Sequence, residues 1–364
     1  MQIPFTKLID QYSESKQDVD RAIKKILDTT EFIAGPTVGK FEEAWAKHCE
    51  APSCAAVGSG TFALTLALMA CGIKQGHEVI TTAHTFISTA EAIKIVGATP
   101  VFVDIDEYYH IDASQIEKQI TNKTKAILFV DLYGQCADIE TINKIAKKHN
   151  LLLIEDAAQS SGATYQGKSI GNIVDLTCFS FNPVKNLGGI GDSGAVTGRK
   201  DLVDKVKMFR DHGRYSKYSY DAVGYNARID CIHAAVLLEK MKYYKKWVNK
   251  RQLICERYNH ELSAHVITPK TRQENTHAYY VYVIQIPDRD GFMQYMAKQG
   301  IGTKIHYPKP INVFESYFPY QQLVVTEKVC ESIISLPCYH SLTTAEQDKI
   351  IQHTITWSKQ HSYS

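Results

Sequence analysis

Between Phe62 and Asp156 the chain alternates short, almost uninterrupted apolar runs with amphipathic stretches, and few folds accommodate that pattern. The runs Glu78–Thr81, Pro100–Asp104, Ala126–Val130 and Leu151–Ile154 read as strands. Phe62–Ala70, Ile87–Val96 and Ser114–Ile120 read as helices, and Ile139, Ile142, Ile145 and Ala146 form one face of another. Strands that are apolar on both sides must be covered on both sides. The expected fold class is therefore α/β, a mostly parallel sheet sandwiched by helices. In such a sheet ligands bind beyond the carboxyl ends of the strands, so residues at those ends become candidates for a site.

The flanks differ. Val19, Ala22, Ile23, Ile26 and Leu27 recur at helical spacing over Asp18–Leu27, and Phe41–His48 is a second helix before the alternation begins. After Ala195 the order becomes mixed. Leu202–Phe209 and Ile232–Arg257 read as helices, Ala278–Ile286 as a strand, and Phe292, Tyr295 and Met296 as a helix face. Lys304–Tyr307 reads as a strand ending at Pro308. Thr344-Ala-Glu-Gln347 has the form of a capping box opening a last helix. The tail thus reads as a smaller α+β unit. With 364 residues and about 100–200 per domain, two domains are expected, here 1–245 and 246–364.

Composition excludes several classes. Hydrophobic residues make up 44% and charged residues 22%, which is globular rather than disordered. A formal charge of +2 gives no bulk electrostatic reason to expect a nucleic acid or a membrane as partner. No apolar run approaches the roughly 18 residues of a membrane span. The first residues carry no signal-like apolar stretch, and the nine cysteines contain no C-x-x-C pair. Reduced thiols in a cytoplasmic protein are expected, with no metal site.

Gly162-Ala-Thr-Tyr-Gln-Gly167-Lys168-Ser169 matches the pattern of a nucleotide-triphosphate loop. Such a loop must open a helix, and Ile170-Gly171-Asn172 has no helical periodicity. The alternation from Ala163 to Gln166 before Gly167 suits a β-hairpin instead.

Three other segments carry chemistry. Gly58-Ser59-Gly60-Thr61 precedes the helix Phe62–Ala70, so its backbone N–H groups could cradle a phosphate at a positive helix end; a plain Gly-rich turn fits as well. Glu155-Asp156-Ala157-Ala158-Gln159 puts an acid at the end of a buried strand, as a ligand partner or as a helix cap. Cys178 to Gly189 carries Ser180, a turn, and Lys185 bounded by glycines, where a solvated surface lysine is the ordinary case. Combined, a phosphate cradle, a strand-end acid, a serine and a constrained lysine suit pyridoxal 5′-phosphate (PLP). That cofactor needs a phosphate site, a lysine for its Schiff base and an acid beside its pyridinium nitrogen.

These segments resemble the DegT/DnrJ-type sugar-nucleotide aminotransferases, PLP-dependent enzymes with the type I aspartate-aminotransferase fold. The resemblance runs from about Ile3 to the C-terminal helix. It is carried by GPTVGKFEEAWAKHC, GSGTFALTLAL, HTFISTAEAI, PVFVDID, LYGQCADI, IEDAAQSSGATYQGKSIG, SFNPVKNLGGIGDSGAV and GYNARIDCIHAAVL, in the shared order. It implies that Lys185 carries the cofactor, Asp156 pairs with the pyridine nitrogen and Gln159 bonds the ring hydroxyl. Phe86 would stack on the ring, and Gly60, Thr61 and Ser180 would hold the phosphate. Asn226 would reach the phosphate of a partner subunit, which implies a homodimer with shared active sites. Arg228, His306 and Tyr307 match substrate contacts, and Lys304 and Lys309 could join Arg228 in meeting a sugar diphosphate. The lysine at 185 separates the chain from the family's dehydratases, which carry histidine there. The KNLGGIGDSGA and IHYP segments look like enzymes that aminate C3 of a hexose more than C4. Asn182 departs from the aromatic residue or histidine usual there. The implied reaction moves an amine from glutamate, leaving 2-oxoglutarate, to a nucleotide-linked keto sugar, for the amino sugars of a surface polysaccharide. The rivals are another PLP chemistry and a non-enzymatic regulator on the same fold.

Overall fold

The computed structural model describes residues 2–361 apart from 274, 315, 316 and 319. Its centre is a seven-stranded sheet in the order Cys54–Val57, Gly194–Gly198, Leu176–Ser180, Leu152–Asp156, Thr124–Val130, Glu78–Thr82, Thr99–Val103. Every pairing from Leu176–Ser180 outward to Thr99–Val103 is parallel. Gly194–Gly198 runs antiparallel to both of its neighbours, so six strands share one direction and one opposes them.

Residues alternate between two cores on opposite faces of this sheet. Ile127 and Phe129 face a cluster with Phe41, Trp45, Phe179 and Phe181. Ala126 and Leu128 face another, built around Leu64, Leu66 and Leu68 of the helix Gly60–Ala70. That helix is apolar all round and nearly all buried, which is why its sequence lacks a polar stripe. Each fully buried leucine contributes about 1.5–3 kcal/mol. A third core, with Tyr258, Tyr282, Phe292 and Trp357, belongs to the C-terminal part.

The parallel sheet and its helices agree with the pattern in the sequence, while several elements differ. The strands Cys54–Val57 and Gly194–Gly198 were not anticipated, because CAAV and GAVTG lack the bulky β-branched runs that mark the others. Ala278–Ile286 is a strand only over Tyr282–Gln285, paired with Ile333–Leu336, because the chain turns at Tyr279 with φ +45°. Lys304–Tyr307 is not a strand. Only Lys304 makes a bridge, to Ser335, and the residues after it lead toward the site.

The hairpin expected near Gly167 is present. Thr164–Tyr165 pairs with Lys168–Ser169 across Gln166 and Gly167, both at positive φ, the conformation of tight hairpin turns. The capping box lies one residue earlier than read: Thr343 caps and Glu346 reciprocates, ahead of the helix Thr344–Gln360. Cys231–Leu262 is one continuous helix of 32 residues. It packs on both the first helix, Leu8–Thr29, and the last. Residue 245, the sequence-based division, lies within it.

Candidate active site

The strands Leu152–Asp156 and Leu176–Ser180 end side by side, with Asp156 opposite Cys178 in register. The helix Gly60–Ala70 begins at the same edge. Ser59 caps it, its Oγ accepting from Phe62 N–H at 3.1 Å. A Cβ placed on Gly60 would lie 2.8 Å from the Ser180 Cβ, so glycine is what lets the helix start come this close to the strand end. Thr61 Oγ1 lies 2.8 Å from Ser88 Oγ. Backbone N–H groups and hydroxyls thus converge at the positive end of a helix, an arrangement suited to an anion.

Asp156 is buried at the floor. Thr89 Oγ1 donates to its Oδ2 at 2.7 Å and Ala158 N–H to its Oδ1 at 3.2 Å. Burial pushes the carboxyl above its usual range, opposed by these hydrogen bonds and by Lys185. A cation facing it would be strongly favoured.

Lys185 stands on a turn closed by its own N–H donating to Asn182 O at 2.9 Å and by Gly189 N–H donating to Phe181 O at 2.8 Å. A Cβ on Gly188 would fall 2.2 Å from Pro183 O, so the turn requires glycine. The turn is gripped from below. Lys240 Nζ donates to Gly188 O at 2.6 Å, and Gln11 Nε2 donates to Asn186 O at 3.3 Å. Lys185 Nζ lies over the Tyr280 ring, 4.1 Å from its centroid. Burial pushes its ammonium down to about 8, with Asp156 acting in the opposite sense. Near neutrality a usable fraction is therefore the free amine, which is the nucleophilic form.

These groups line one open cavity of about 630 Å³, together with Phe86, Gln159, Asn182, His306 and Tyr307. Phe86 is 54% exposed although its surroundings are buried, and its ring centroid lies 6.0 Å from that of Tyr307. Gln159 Nε2 donates to the Tyr307 hydroxyl at 3.0 Å. Asn182 Nδ2 donates to Asp192 Oδ1 at 2.9 Å.

Residues 13–354 match the DegT/DnrJ/EryC1/StrS aminotransferase family. The chain belongs to that family. Among its relatives, a pleiotropic regulatory protein of Geobacillus stearothermophilus is 38% identical, over 97% of this chain and 97% of its own. The UDP-2-acetamido-2-deoxy-3-oxo-D-glucuronate aminotransferase of Pseudomonas aeruginosa is 37% identical, over 94% and 97%. The crystal structure of S. venezuelae DesV superposes with a TM-score of 0.96 at 34% identity, covering 98% of this chain and 99% of that one. Five further relatives, 31–37% identical, carry names that specify a 3-amino, 3-oxo or 3-dehydro sugar.

Aminotransferases of this family are PLP-dependent, and the residues here fit that cofactor. A glycine helix start packed against Ser180, a buried carboxyl and a lysine with depressed pKa share one cavity. Gly60, Thr61, Phe86, Asp156, Gln159, Ser180, Lys185, His306 and Tyr307 are brought together. Asn226 and Arg228 are not. Arg228 pairs with Asp211, and its Nη2 donates to Asn226 Oδ1 at 2.7 Å, outside this cavity. Lys304 and Lys309 are exposed and do not line it either; Lys304 Nζ lies over the Phe5 ring, 5.5 Å from its centroid.

Sequence reasoning missed Thr89, Tyr133 and Tyr280. Thr89 sits in the quoted HTFISTAEAI segment, but its bond to Asp156 joins residues 67 apart. Tyr280 is hidden inside an apolar run that reads as strand.

Proposed function

We propose that the chain transfers an amine from glutamate to the C3 keto group of a nucleotide-linked hexose. The observation that carries this reading is the amine of Lys185, depressed to about 8 and sharing a cavity with Asp156. When bound, PLP supplies an electron sink for the carbon that gains or loses the amine.

The residues have separable tasks. Lys185 would hold the cofactor through its amine, and that amine is the group placed to take up and return a proton as base and then acid. Asp156 keeps the pyridine nitrogen protonated, and Gln159 donates to the ring hydroxyl. Phe86 covers one ring face. Gly60, Thr61 and Ser180 receive the phosphate. His306 and Tyr307 contact the sugar nucleotide. Asn226 and Arg228, which stand outside their own cavity, serve the phosphate and substrate of a second copy in a homodimer. We place the working division between a larger cofactor unit, 1–245, and a smaller unit, 246–364.

Position 3 is favoured by the names of the relatives, among which one is a 3-oxo-glucose-6-phosphate:glutamate aminotransferase. Glutamate as donor has the same support. The product would feed the amino sugars of a surface polysaccharide. Among the described residues no helix is long and apolar enough to cross a membrane, and none of the nine cysteines is in a disulfide. Both fit work in the cytoplasm.

The test is Lys185→Ala. It should lose the visible absorbance of the lysine-bound cofactor and should not turn over; transamination at the wild-type rate would refute the assignment. The regulatory name of the Geobacillus relative favours a second reading, a cofactor-binding regulator. Wild-type protein that binds PLP but aminates none of a panel of 3-keto and 4-keto sugar nucleotides would support that reading.

A further inference from the structure

Behind the cavity lies a chain of hydrogen bonds whose direction can be derived. The Tyr133 hydroxyl contacts the backbone carbonyl of His306, and His84 Nε2 lies 2.7 Å from the same hydroxyl. A carbonyl only accepts, so Tyr133 spends its single proton on His306 O. Towards His84 the phenol oxygen must therefore accept, which places a proton on His84 Nε2. His84 Nδ1 is then a bare acceptor, and it faces Cys330 Sγ at 3.5 Å. The order is Cys330 S–H to His84 to Tyr133 to the His306 carbonyl. His84 is fully enclosed, and burial pushes its pKa down to about 3, which keeps the imidazole neutral as this order requires.

Tyr133 also acts through its backbone. Its N–H donates to Gln159 Oε1 at 2.9 Å, and its φ of +64° is a conformation that a bulky residue adopts only under constraint. Gln159 in turn donates to Tyr307. The His306 ring is held separately, by Ser335 Oγ at 2.8 Å from its Nδ1. One buried tyrosine therefore holds both the glutamine and the His306–Tyr307 segment that face the cavity.

We propose that Tyr133 and His84 are positioning residues that set the His306–Tyr307 segment for the sugar substrate, through a one-way chain of hydrogen bonds starting at Cys330. This deepens the functional reading above and rests on it. The phenol oxygen serves only the His306 side, whereas the backbone N–H serves Gln159. Deleting the hydroxyl should therefore separate the two half-reactions.

The experiment uses the cofactor-loaded protein and Tyr133→Phe, which keeps the ring and the backbone N–H. Cofactor affinity and the single-turnover reaction with glutamate should stay within about twofold of wild type. KM for the keto-sugar nucleotide should rise about tenfold, the size of one hydrogen bond. His84→Leu should reproduce that rise, and His84→Gln, which retains an N–H donor, should recover most of it. A 15N-histidine spectrum of wild-type protein should show the His84 proton on Nε2. Equal losses in cofactor affinity and both half-reactions for Tyr133→Phe would overturn the proposal. So would indistinguishable His84 variants, or a proton on Nδ1. Absence of sugar amination in wild-type protein would instead defeat the functional reading, while the position of the His84 proton still decides the direction of the chain.

Discussion

Two parts of the molecule carry the expected site residues, and they stand in contrast. The strand-end part, with Asp156, Ser180, Lys185 and the start of the helix Gly60–Ala70, is buried and closed by its own hydrogen bonds. The segment from Asp211 to Arg228 faces outward. Tyr218 is 82% and Val223 87% exposed, Tyr215 and Tyr220 are exposed too, and Asn226 and Arg228 bond to one another and to Asp211. The first part gathers its residues around one cavity of a single chain. The second does not line the cavity that holds Lys185, and its surface is rich in aromatic residues. The difference is that one sheet edge brings Lys185 and Asp156 into a single cavity, whereas Asn226 and Arg228 stand outside it, as the proposed service to a second copy requires.

The largest effect that can break this comparison comes from mixing variants. Lys185→Ala and Arg228→Ala chains should each be strongly impaired alone. Co-expressed in equal amounts, they should recover about a quarter of wild-type turnover, since half the dimers are mixed and each has one intact site. No recovery would mean that Arg228 serves its own chain. Next in size, Asp156→Asn should slow amine transfer about 100-fold with the protein still folded, because an amide cannot hold the ring nitrogen protonated. Transfer kinetics and circular dichroism on the same sample check this.

The comparison with the sequence follows the same divide. Asp156 was legible because strand ends in a parallel sheet point at ligands and an apolar run marks its strand, and Ser180 entered with the turn that carries Lys185. The hairpin after Gly162 was legible because the alternation from Ala163 to Gln166 runs into Gly167, where the turn forms. Lys304–Tyr307 was misread because its alternation imitates a strand, while its backbone instead places His306 O against Tyr133 and Lys304 against Ser335. Tyr133 itself gave no signal, since a positive φ at tyrosine follows from tertiary constraint and not from local preference. That Arg228 bonds to Asp211 and Asn226 was not legible in GYNAR, because the ion pair with Asp211 depends on how the segment folds back on itself.

Two smaller effects sharpen the strand-end side. With Lys185 depressed to about 8, the rate of PLP uptake should climb about tenfold per pH unit below that value and level off above it, because only the neutral amine attacks. Stopped-flow absorbance across pH 6 to 10 (a range spanning roughly two units either side) reads the midpoint. A midpoint near 10.5, the ordinary lysine value, would mean that burial does not tune this group. The smallest effect is on stability. Ser59→Ala removes the cap of the helix Gly60–Ala70 and should cost about 1 kcal/mol in denaturant unfolding.

The most direct measurement follows the amine itself. Cofactor-loaded protein is given 15N-glutamate and a nucleotide-linked 3-keto hexose, and the product sugar is examined by NMR. The label should appear on C3 of the sugar with wild-type protein and should be absent with Lys185→Ala. Label confined to glutamate in both samples, or carried to the sugar equally well by Lys185→Ala, would contradict the account.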